Sequence, residues 1–257
     1  MKITALIENT AACEGVAVEH GLSLYIEANG KRILFDMGQT AAFVDNADRL
    51  GVDIAAVDFA VISHGHYDHG GGIGDFLRVN KCAPVFVLPS AFLPHYDPEG
   101  KYIGLDASFK HHPRVIAYDG RDLGEGITLL DGKGRERLNS LGDFGFTELT
   151  DGKLVSDRFE HEQHLLVEEG GKRVLVCGCS HQGIIDLMEW FKPDVVVGGF
   201  HFAKLDLGDN LQAAAARLDS FGAKYYTCHC TGLKQYEYIG KFMSRLHYIA
   251  CGDTIII

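Results

Sequence analysis

The sequence predicts an α/β fold of the α+β kind, in which two mixed β-sheets pack face to face and helices cover their outer sides. Two observations support this prediction. Turn sequences typical of hairpins dominate the first half of the chain, whereas short apolar strands alternate with helical patterns in the second half. A chain of 257 residues with 46% apolar residues can also bury a large core, so we expect a single domain over residues 1–257.

The first strands are predicted at residues 3–7, 22–27 and 32–35. The last two of these alternate apolar and polar residues around Asn29-Gly30, a dipeptide typical of tight hairpin turns. Antiparallel pairing of the two arms would place Glu19 and His20 beside Asp36. A carboxylate and an imidazole are therefore expected next to the end of the third strand.

The rest of the chain continues as strands and helices. Short apolar runs predict strands at 59–62, 84–88, 127–130, 165–168, 174–177, 195–197, 225–227 and 254–257. Helical spacing predicts four helices, with apolar faces formed by Phe43, Ala47 and Leu50, by Ile184, Leu187, Met188 and Phe191, by Leu211, Ala214, Ala215 and Leu218, and by Ile239, Phe242, Met243 and Leu246. The stretch from 89 to 126 lacks such a pattern. We expect a lid or substrate-facing insertion there, with its histidines at the surface or behind a site: His95, His111 and His112.

Residues 63–72, Ser-His-Gly-His-Tyr-Asp-His-Gly-Gly-Gly, concentrate groups that bind metal ions. Four nitrogen or oxygen donors fall within six residues directly after a buried strand, and they belong to His64, His66, Asp68 and His69. His64 and His66 lie two apart on an extended backbone, so they point to the same side and can chelate one cation. Gly65 would allow a tight turn through which the other two donors reach a second cation.

Three later strands each end in glycine or cysteine next to a histidine. These histidines are His181, His201 and His229. The ends of strands in a rigid sheet can hold ligands to the tolerance that a metal ion requires. One such histidine would be ordinary in a protein core, but three of them together with residues 64–69 predict a metal site.

The composition excludes several functions. A net charge of −11 argues against a nucleic acid substrate, because proteins that bind nucleic acid present a basic face. The basic cluster at 133–137 is interpreted as a solvated loop rather than a phosphate clamp. Seven cysteines scattered through apolar strands, with no signal peptide and no apolar span, indicate the reducing cytoplasm and no membrane contact. The expected partner is a small-molecule substrate, and the oligomeric state, a homo-oligomer included, stays open.

These motifs resemble those of the metallo-β-lactamase superfamily, whose HxHxDH signature matches residues 64–69. Further stretches resemble its branch of β-lactamase-superfamily II metal-dependent hydrolases, at 19–23, 34–39, 178–184, 198–201 and 228–232. That branch includes 7,8-dihydropterin-6-yl-methyl-4-(β-D-ribofuranosyl)aminobenzene 5′-phosphate synthases. The resemblance implies an αββα sandwich with a dinuclear metal site and covers nearly the whole chain.

Carried over by position, the resemblance implies that His64 and His66 bind one metal ion and that Asp68, His69 and His229 bind the other. Asp68 and His201 are the candidate catalytic residues, with His201 on the pocket wall as a substrate contact or proton donor. Three further residues are expected behind the ligands, where they would orient the imidazoles: Asp36, Glu19 and His20.

Two positions depart from the superfamily pattern. The usual bridging aspartate is absent and Gly178-Cys179 stands in its place, so Cys179 is either a thiolate ligand of zinc or a buried, inert thiol. The third histidine of the first ion is also displaced, and the candidates are His181, His161 and His164. We favour His181 because it closely follows a strand end, and we expect His164 to be structural.

The predicted function is a dinuclear metal-dependent hydrolase acting on a small phosphate- or diphosphate-containing substrate. Two divalent ions would supply a bound hydroxide near neutral pH, with Zn²⁺ favoured by the ligand types and Mn²⁺ or Fe²⁺ as alternatives. The branch also implies a transferase of the synthase type, in which the ions hold a leaving diphosphate. The alternative from another class is a protein that binds metal for sensing, without catalysis.

Overall fold

The computed structural model describes residues 1–117, 121–139, 142 and 144–257. Its strands in chain order are β1 (Lys2–Ile7), β2 (Ser23–Ala28), β3 (Lys31–Phe35), β4 (Phe59–Val61), β5 (Val85–Val87), β6 (His95–Tyr96), β7 (Val115–Ala117), β8 (Arg121–Gly124), β9 (Ile127–Asp131), β10 (Thr147–Thr150), β11 (Lys153–Ser156), β12 (Gln163–Glu169), β13 (Lys172–Val176), β14 (Val195–Gly198), β15 (Lys224–Thr227), β16 (Leu246–Tyr248) and β17 (Thr254–Ile256). The α-helices are α1 (Ala42–Arg49), α2 (Tyr67–Gly70), α3 (Ile73–Val79), α4 (Ile184–Phe191), α5 (Asp209–Ser220) and α6 (Leu233–Ile239).

Over these residues the strands form two large mixed sheets and one small sheet. The first large sheet has the order β17-β1-β2-β3-β4-β5-β7 and the second has the order β16-β15-β14-β13-β12-β9-β8. In the first sheet β2 and β3 form the predicted antiparallel hairpin, with Leu24 opposite Phe35, and β3, β4, β5 and β7 run parallel. In the second sheet β13 to β16 run parallel. The prediction of two mixed sheets is confirmed.

The two sheets pack face to face, and alternation along each strand sorts side chains between the layers. In β3, Ile33 and Phe35 belong to the core shared by both sheets, whereas Leu34 belongs to the core beneath α1 and α3. In the second sheet Val197 faces the shared core and Val196 faces α4 and α5. Strands with two apolar faces are expected where both faces are covered, which explains the continuous apolar runs of the sequence.

The structure differs from the predictions at the last helix. Helix α6 ends at Ile239, and Leu246, predicted to continue its apolar face, instead begins β16. Strand β16 pairs in parallel with β15, so that Leu246 lies opposite Tyr225. The backbone groups at the edge of β15 form hydrogen bonds with residues 246–248, and this pairing outweighs the helical spacing of the apolar residues.

The stretch from 89 to 126, predicted as an insertion, supplies edge strands to all three sheets. Strand β7 closes one edge of the first large sheet, β8 closes one edge of the second, and β6 pairs with β10 in the small sheet β11-β10-β6. No helix among the described residues has both the length and the apolar character needed to cross a membrane.

Gln163 joins the two large sheets beside the histidine-rich loop. Its side-chain amide on β12 donates hydrogen bonds to the carbonyls of Ile62 (2.8 Å) and Phe86 (3.2 Å), and its backbone N–H donates to the carbonyl of Ser63 (2.7 Å). Gln163 is 1% exposed. Because the loop after β4 carries four of the predicted ligands, this residue fixes that loop against the opposite sheet.

Replacing Gln163 with Leu should destabilise the protein, because it leaves the buried carbonyl of Ile62 without a side-chain donor. We expect a loss of about 2 kcal/mol in the free energy of unfolding, measured by urea denaturation. Gln212→Leu on the exposed face of α5 is the matched control and should change stability by less than about 0.5 kcal/mol. Equal stability of the two variants would contradict this role for Gln163.

Candidate metal centre

The predicted ligands lie beyond the carboxyl ends of neighbouring parallel strands. His64 and His66 follow β4, and α2 carries Asp68 and His69. The remaining candidates follow three strands of the second sheet: Cys179 and His181 after β13, His201 after β14 and His229 after β15. Parallel strands end at the same edge of a sheet, so the two packed sheets bring all of these side chains to one end of the sandwich.

His64, His66 and His181 form the first group of potential ligands. Nε2 of His64 lies 3.0 Å from Nδ1 of His66. The ring of His181 is centred 4.7 Å from the ring of His64 and 5.0 Å from that of His66. Burial and the neighbouring imidazoles lower the pKa of His64 and of His66 well below the ordinary value, so both rings are neutral and can bind a cation.

Asp68, His69 and His229 form the second group. Nε2 of His69 lies 3.2 Å from Nε2 of His229. One carboxylate oxygen of Asp68 lies 3.7 Å from the same atom of His69 and 3.5 Å from that of His229. All three residues are buried. One oxygen and two nitrogens thus converge on one point, which is the arrangement that a divalent ion requires.

Cys179 lies between the two groups. Its thiol belongs to one set of potential ligand atoms with His64 and His181 and to another with His69 and His229, each set lying within 4.8 Å. Sγ of Cys179 is 3.3 Å from Nε2 of His69. Burial raises the pKa of this thiol well above its ordinary value in the metal-free protein. The thiol of Cys179 thus lies within reach of the histidines of both groups.

The buried carboxylate of Asp36 connects the two groups from behind. It accepts hydrogen bonds from the backbone N–H and the hydroxyl of Ser63, both at 2.7 Å, and from Nδ1 of His69 at 2.6 Å. Because the Ser63 hydroxyl donates to Asp36, it accepts from Nδ1 of His64 at 2.8 Å. Nε2 of His64 therefore faces His66 and Nε2 of His69 faces His229, and Asp36 lies behind both rings, where it can orient them.

His20 and Glu19 take different positions. Nε2 of His20, at the cavity mouth, lies 3.3 Å from the carboxylate of Asp68. Glu19 contacts none of the ligand imidazoles. Its carboxylate accepts from the backbone N–H of Gln39 (2.6 Å) and from the hydroxyl of Thr40 (2.8 Å), so it closes the turn before α1.

Of the other two candidates for the third histidine, His161 lies beside His66, with the ring centres 5.5 Å apart, but its nitrogens have other partners. Both nitrogens of His161 are engaged, Nδ1 by the backbone N–H of Gly65 at 2.9 Å and Nε2 by Asp157 at 3.1 Å. His164 is buried in β12, and the centre of its ring lies 6.1 Å from the ring centre of Phe191. His181 has a carboxylate behind it, since its Nδ1 lies 3.2 Å from Glu162. This geometry favours His181.

Gly65 is needed for a reason other than the predicted tight turn. Its backbone does not adopt the left-handed conformation. A Cβ atom at this position would lie 2.6 Å from the carbonyl oxygen of Ala91 and 2.7 Å from Nε2 of His95. Glycine is therefore required at position 65 because Ala91 and His95 approach its backbone closely.

Sequence reasoning missed several residues behind the ligands. The backbone N–H of His229 donates to Glu8 at 2.6 Å, and Nδ1 of His229 lies 2.8 Å from the side-chain oxygen of Asn9. Glu162 accepts from the backbone N–H groups of His181 (2.8 Å) and Gln182 (2.9 Å). The only signal in the sequence was a polar residue directly beside a strand, as for Glu8 after β1 and Glu162 before β12.

His201 lies on the cavity wall, as expected. Its ring is centred 4.3 Å from that of His181 and 4.5 Å from that of Phe144. Both of its ring nitrogens are shielded from solvent and have no hydrogen-bond partner among the described residues. The cavity in front of the two groups has a volume of about 450 Å³ and is bordered by His66, Asp68, Cys179, His181, His201 and His229.

The donor set fits a pair of divalent ions. Imidazole nitrogens of His64 and His66 face one another at 3.0 Å and those of His69 and His229 at 3.2 Å, and a cation bound at each pair would accept their lone pairs. His64, His66 and His181 would hold one ion, and Asp68, His69 and His229 the other. Nitrogen and oxygen donors with one thiol within reach suit Zn²⁺ best.

Comparisons with known proteins identify relatives of this chain. The family model described as the metallo-beta-lactamase superfamily matches residues 16–220. An uncharacterised protein of Methanocaldococcus jannaschii is 32% identical over 90% of this chain and 91% of its own length. The 7,8-dihydropterin-6-methyl-4-(beta-D-ribofuranosyl)-aminobenzene-5′-phosphate synthase of the same organism is 32% identical over 84% of this chain and 82% of its own. The crystal structure of Tm1679, a metal-dependent hydrolase of the beta-lactamase superfamily, superposes with a TM-score of 0.82 at 28% identity, covering 100% of this chain and 99% of the other.

Replacing Asp36 with Asn should weaken metal binding, because an amide holds the Nδ1 proton of His69 less strongly than a carboxylate does. We expect the affinity for Zn²⁺ to fall about 10- to 100-fold, measured by competition with a chromophoric chelator. Asp45→Asn on the exposed side of α1 is the matched control and should bind Zn²⁺ like the unmodified protein. Unchanged affinity in Asp36→Asn would show that this carboxylate does not orient the ligands.

Proposed function

The chain belongs to the metallo-beta-lactamase superfamily, and we propose that within it this protein is a metal-dependent hydrolase of a small phosphate- or diphosphate-containing substrate. The observation that carries the proposal is the pair of ligand groups facing one open cavity. Two divalent ions held there would activate water near neutral pH and stabilise the negative charge that develops on the substrate. An open cavity of this size also favours catalysis over a closed, purely metal-sensing site.

Residues of the cavity wall can bind and orient the substrate. The ring nitrogens of His201 have no hydrogen-bond partner among the described residues, and one of them can donate a hydrogen bond or a proton to the leaving oxygen. Lys204 borders the same cavity, with its ammonium 5.4 Å from the ring centre of Phe146. A cation at the mouth of the cavity would attract an anionic substrate despite the overall negative charge of the protein.

A second cavity of about 220 Å³ adjoins the first and shares His181 and His201 with it. Arg137 lines this cavity and is half-buried, whereas Lys133 and Arg135 of the same basic cluster are exposed. The interpretation of this cluster as a wholly solvated loop therefore does not hold for Arg137. In the part of the chain that the structure describes, no carboxylate forms an ion pair with Arg137, so its guanidinium is available to an anionic group of the substrate.

The second candidate function is transfer rather than hydrolysis. It is favoured by the similarity to the aminobenzene phosphate synthase of M. jannaschii over most of both chains. The walls of the two cavities carry Phe144, Phe146 and Phe159, which could pack against the planar rings of such a substrate. In this case the ions would hold a leaving diphosphate while an aromatic compound attacks.

Hydrolysis of generic phosphodiester and phosphomonoester substrates tests the proposal directly. We expect turnover that requires added Zn²⁺ or Mn²⁺ and disappears with a chelator, and His229→Ala should lower it by about 100-fold or more. His111→Ala, at an exposed position, is the control and should keep full activity. If the protein binds metal and couples an aminobenzene to a pterin diphosphate but hydrolyses none of the substrates, it is a transferase and the hydrolase proposal is wrong.

Arg137→Gln should weaken binding of substrates that carry a terminal phosphate. Because a hydrogen bond to a charged group contributes about 1.5–3 kcal/mol, we expect KM to rise roughly 10- to 100-fold while kcat changes little. Arg135→Gln, two residues away and exposed, is the matched control. An unchanged KM in Arg137→Gln would show that the second cavity does not bind the substrate phosphate.

A further inference from the structure

A second buried cluster lies next to His66 and has no part in the ligand groups described above. It consists of His95, Asp157 and His161, of which none is more than 7% exposed. His95 begins the short strand β6, and the other two residues precede β12. The ring of His66 is centred 5.5 Å from that of His161 and 5.9 Å from that of His95.

The hydrogen bonds of this cluster fix the proton on His161. The backbone N–H of Gly65 can only donate, so Nδ1 of His161, at 2.9 Å, accepts and carries no proton. The proton of the neutral ring is then on Nε2, which donates to Oδ2 of Asp157 at 3.1 Å. His161 thus ties the metal loop, between His64 and His66, to the carboxylate.

The same carboxylate oxygen fixes the proton on His95. Burial opposes ionisation of Asp157, but hydrogen bonds from His161 and His95 outweigh it and hold the pKa of its carboxyl well below the ordinary range. An ionised carboxylate only accepts, so Nδ1 of His95, at 3.0 Å, is the donor. With its proton on Nδ1, the imidazole of His95 leaves Nε2 as an acceptor.

Within this cluster and His66, two buried nitrogens remain without hydrogen-bond partners among the described residues, and their hydrogen-bonding roles are complementary. One is Nε2 of His95, an acceptor. The other is Nε2 of His66, which carries the proton of that ring whenever Nδ1, the atom facing His64, binds a metal ion. Buried polar atoms are nearly always paired, directly or through ordered water.

We propose that His95 is the positioning residue of His66: when the ion is bound at Nδ1 of His66, its Nε2–H group donates to Nε2 of His95, directly or through one water molecule. This inference rests on the metal centre proposed above. The contact completes a ring of hydrogen bonds that runs from His66 through His95, Asp157 and His161 back to the backbone of Gly65. Such a ring holds the imidazole of His66 at a fixed angle and makes it a stronger ligand.

The packing at Gly65 supports this assignment. Nε2 and Cδ2 of His95 occupy the space that a side chain at position 65 would need, at 2.7 Å and 2.8 Å from an ideal Cβ. The ring of His95 therefore lies against the backbone between the two ligand histidines. The rings of His95 and His66 meet edge to face, with an angle of 75° between their planes.

Two substitutions at position 95 separate the contact to His66 from the contact to Asp157. Asn can reproduce the Nδ1 donor towards Asp157 but has no group at the position of Nε2. Gln can place its side-chain oxygen near the position of Nε2 and accept from His66. We expect His95→Asn to lower the Zn²⁺ affinity of one of the two ions about 10- to 100-fold and His95→Gln to restore most of that loss. A merely structural role through Asp157 would give the opposite order.

Affinities are measured by competition with a chromophoric chelator, with His111→Asn as the control. In parallel, nitrogen-15 NMR of the unmodified zinc-loaded protein reports which ring nitrogen of each histidine carries the proton, with no dependence on turnover or on the folding of a variant. We expect the proton on Nδ1 of His95 and on Nε2 of His66. A proton on Nε2 of His95, or equal affinities in His95→Asn and the unmodified protein, would overturn the role of His95 and leave the metal centre standing. Failure of the unmodified protein to bind any ion would overturn both.

Discussion

The carboxylate of Asp36 is the group on which the centre depends. It is fully buried, and three hydrogen bonds from Ser63 and His69 compensate its desolvation. Because Asp36 follows β3 and Ser63 follows β4, the parallel pairing of these strands brings donor and acceptor together without any freedom of the loop. The register of β3 and β4 thus determines the orientation of His64 and His69, whose Nε2 atoms face His66 and His229.

The same device recurs around the site. Glu162 lies behind His181, Glu8 and Asn9 behind His229, and Asp157 behind His95 and His161. For His229, His95 and His161 an acceptor takes a hydrogen bond from one ring nitrogen, whereas Nδ1 of His181 lies 3.2 Å from Glu162 without forming a hydrogen bond to it. Burying these carboxylates would be costly if they were unpaired, and each is paired with several N–H groups.

Patterns among neighbouring residues predicted those features of the fold and of the site that depend on neighbouring residues alone. Residues 64–69 and the strand-end histidines could be recognised because their chemistry follows directly from adjacent residues, and alternating or continuous apolar runs predicted the strands of both large sheets except β7, β8 and β16. The supporting residues could not be found this way, because His95 and Asp157 are 62 positions apart and meet only when β6 and β12 are placed. The last helix failed for a related reason. Nothing within residues 239–246 reveals that the edge of β15 needs a partner, and that edge decides the conformation of Leu246.

The division of the ligands between the two sheets links occupancy of the centre to the integrity of the sandwich. His64, His66, Asp68 and His69 come from the sheet built by the N-terminal part of the chain, whereas His181 and His229 come from the other one. An ion bound by residues of both sheets would link two layers that otherwise pack through apolar contacts. By mass action its contribution to stability would grow with the logarithm of the free ion concentration, so resistance to heat and proteases would rise with that concentration.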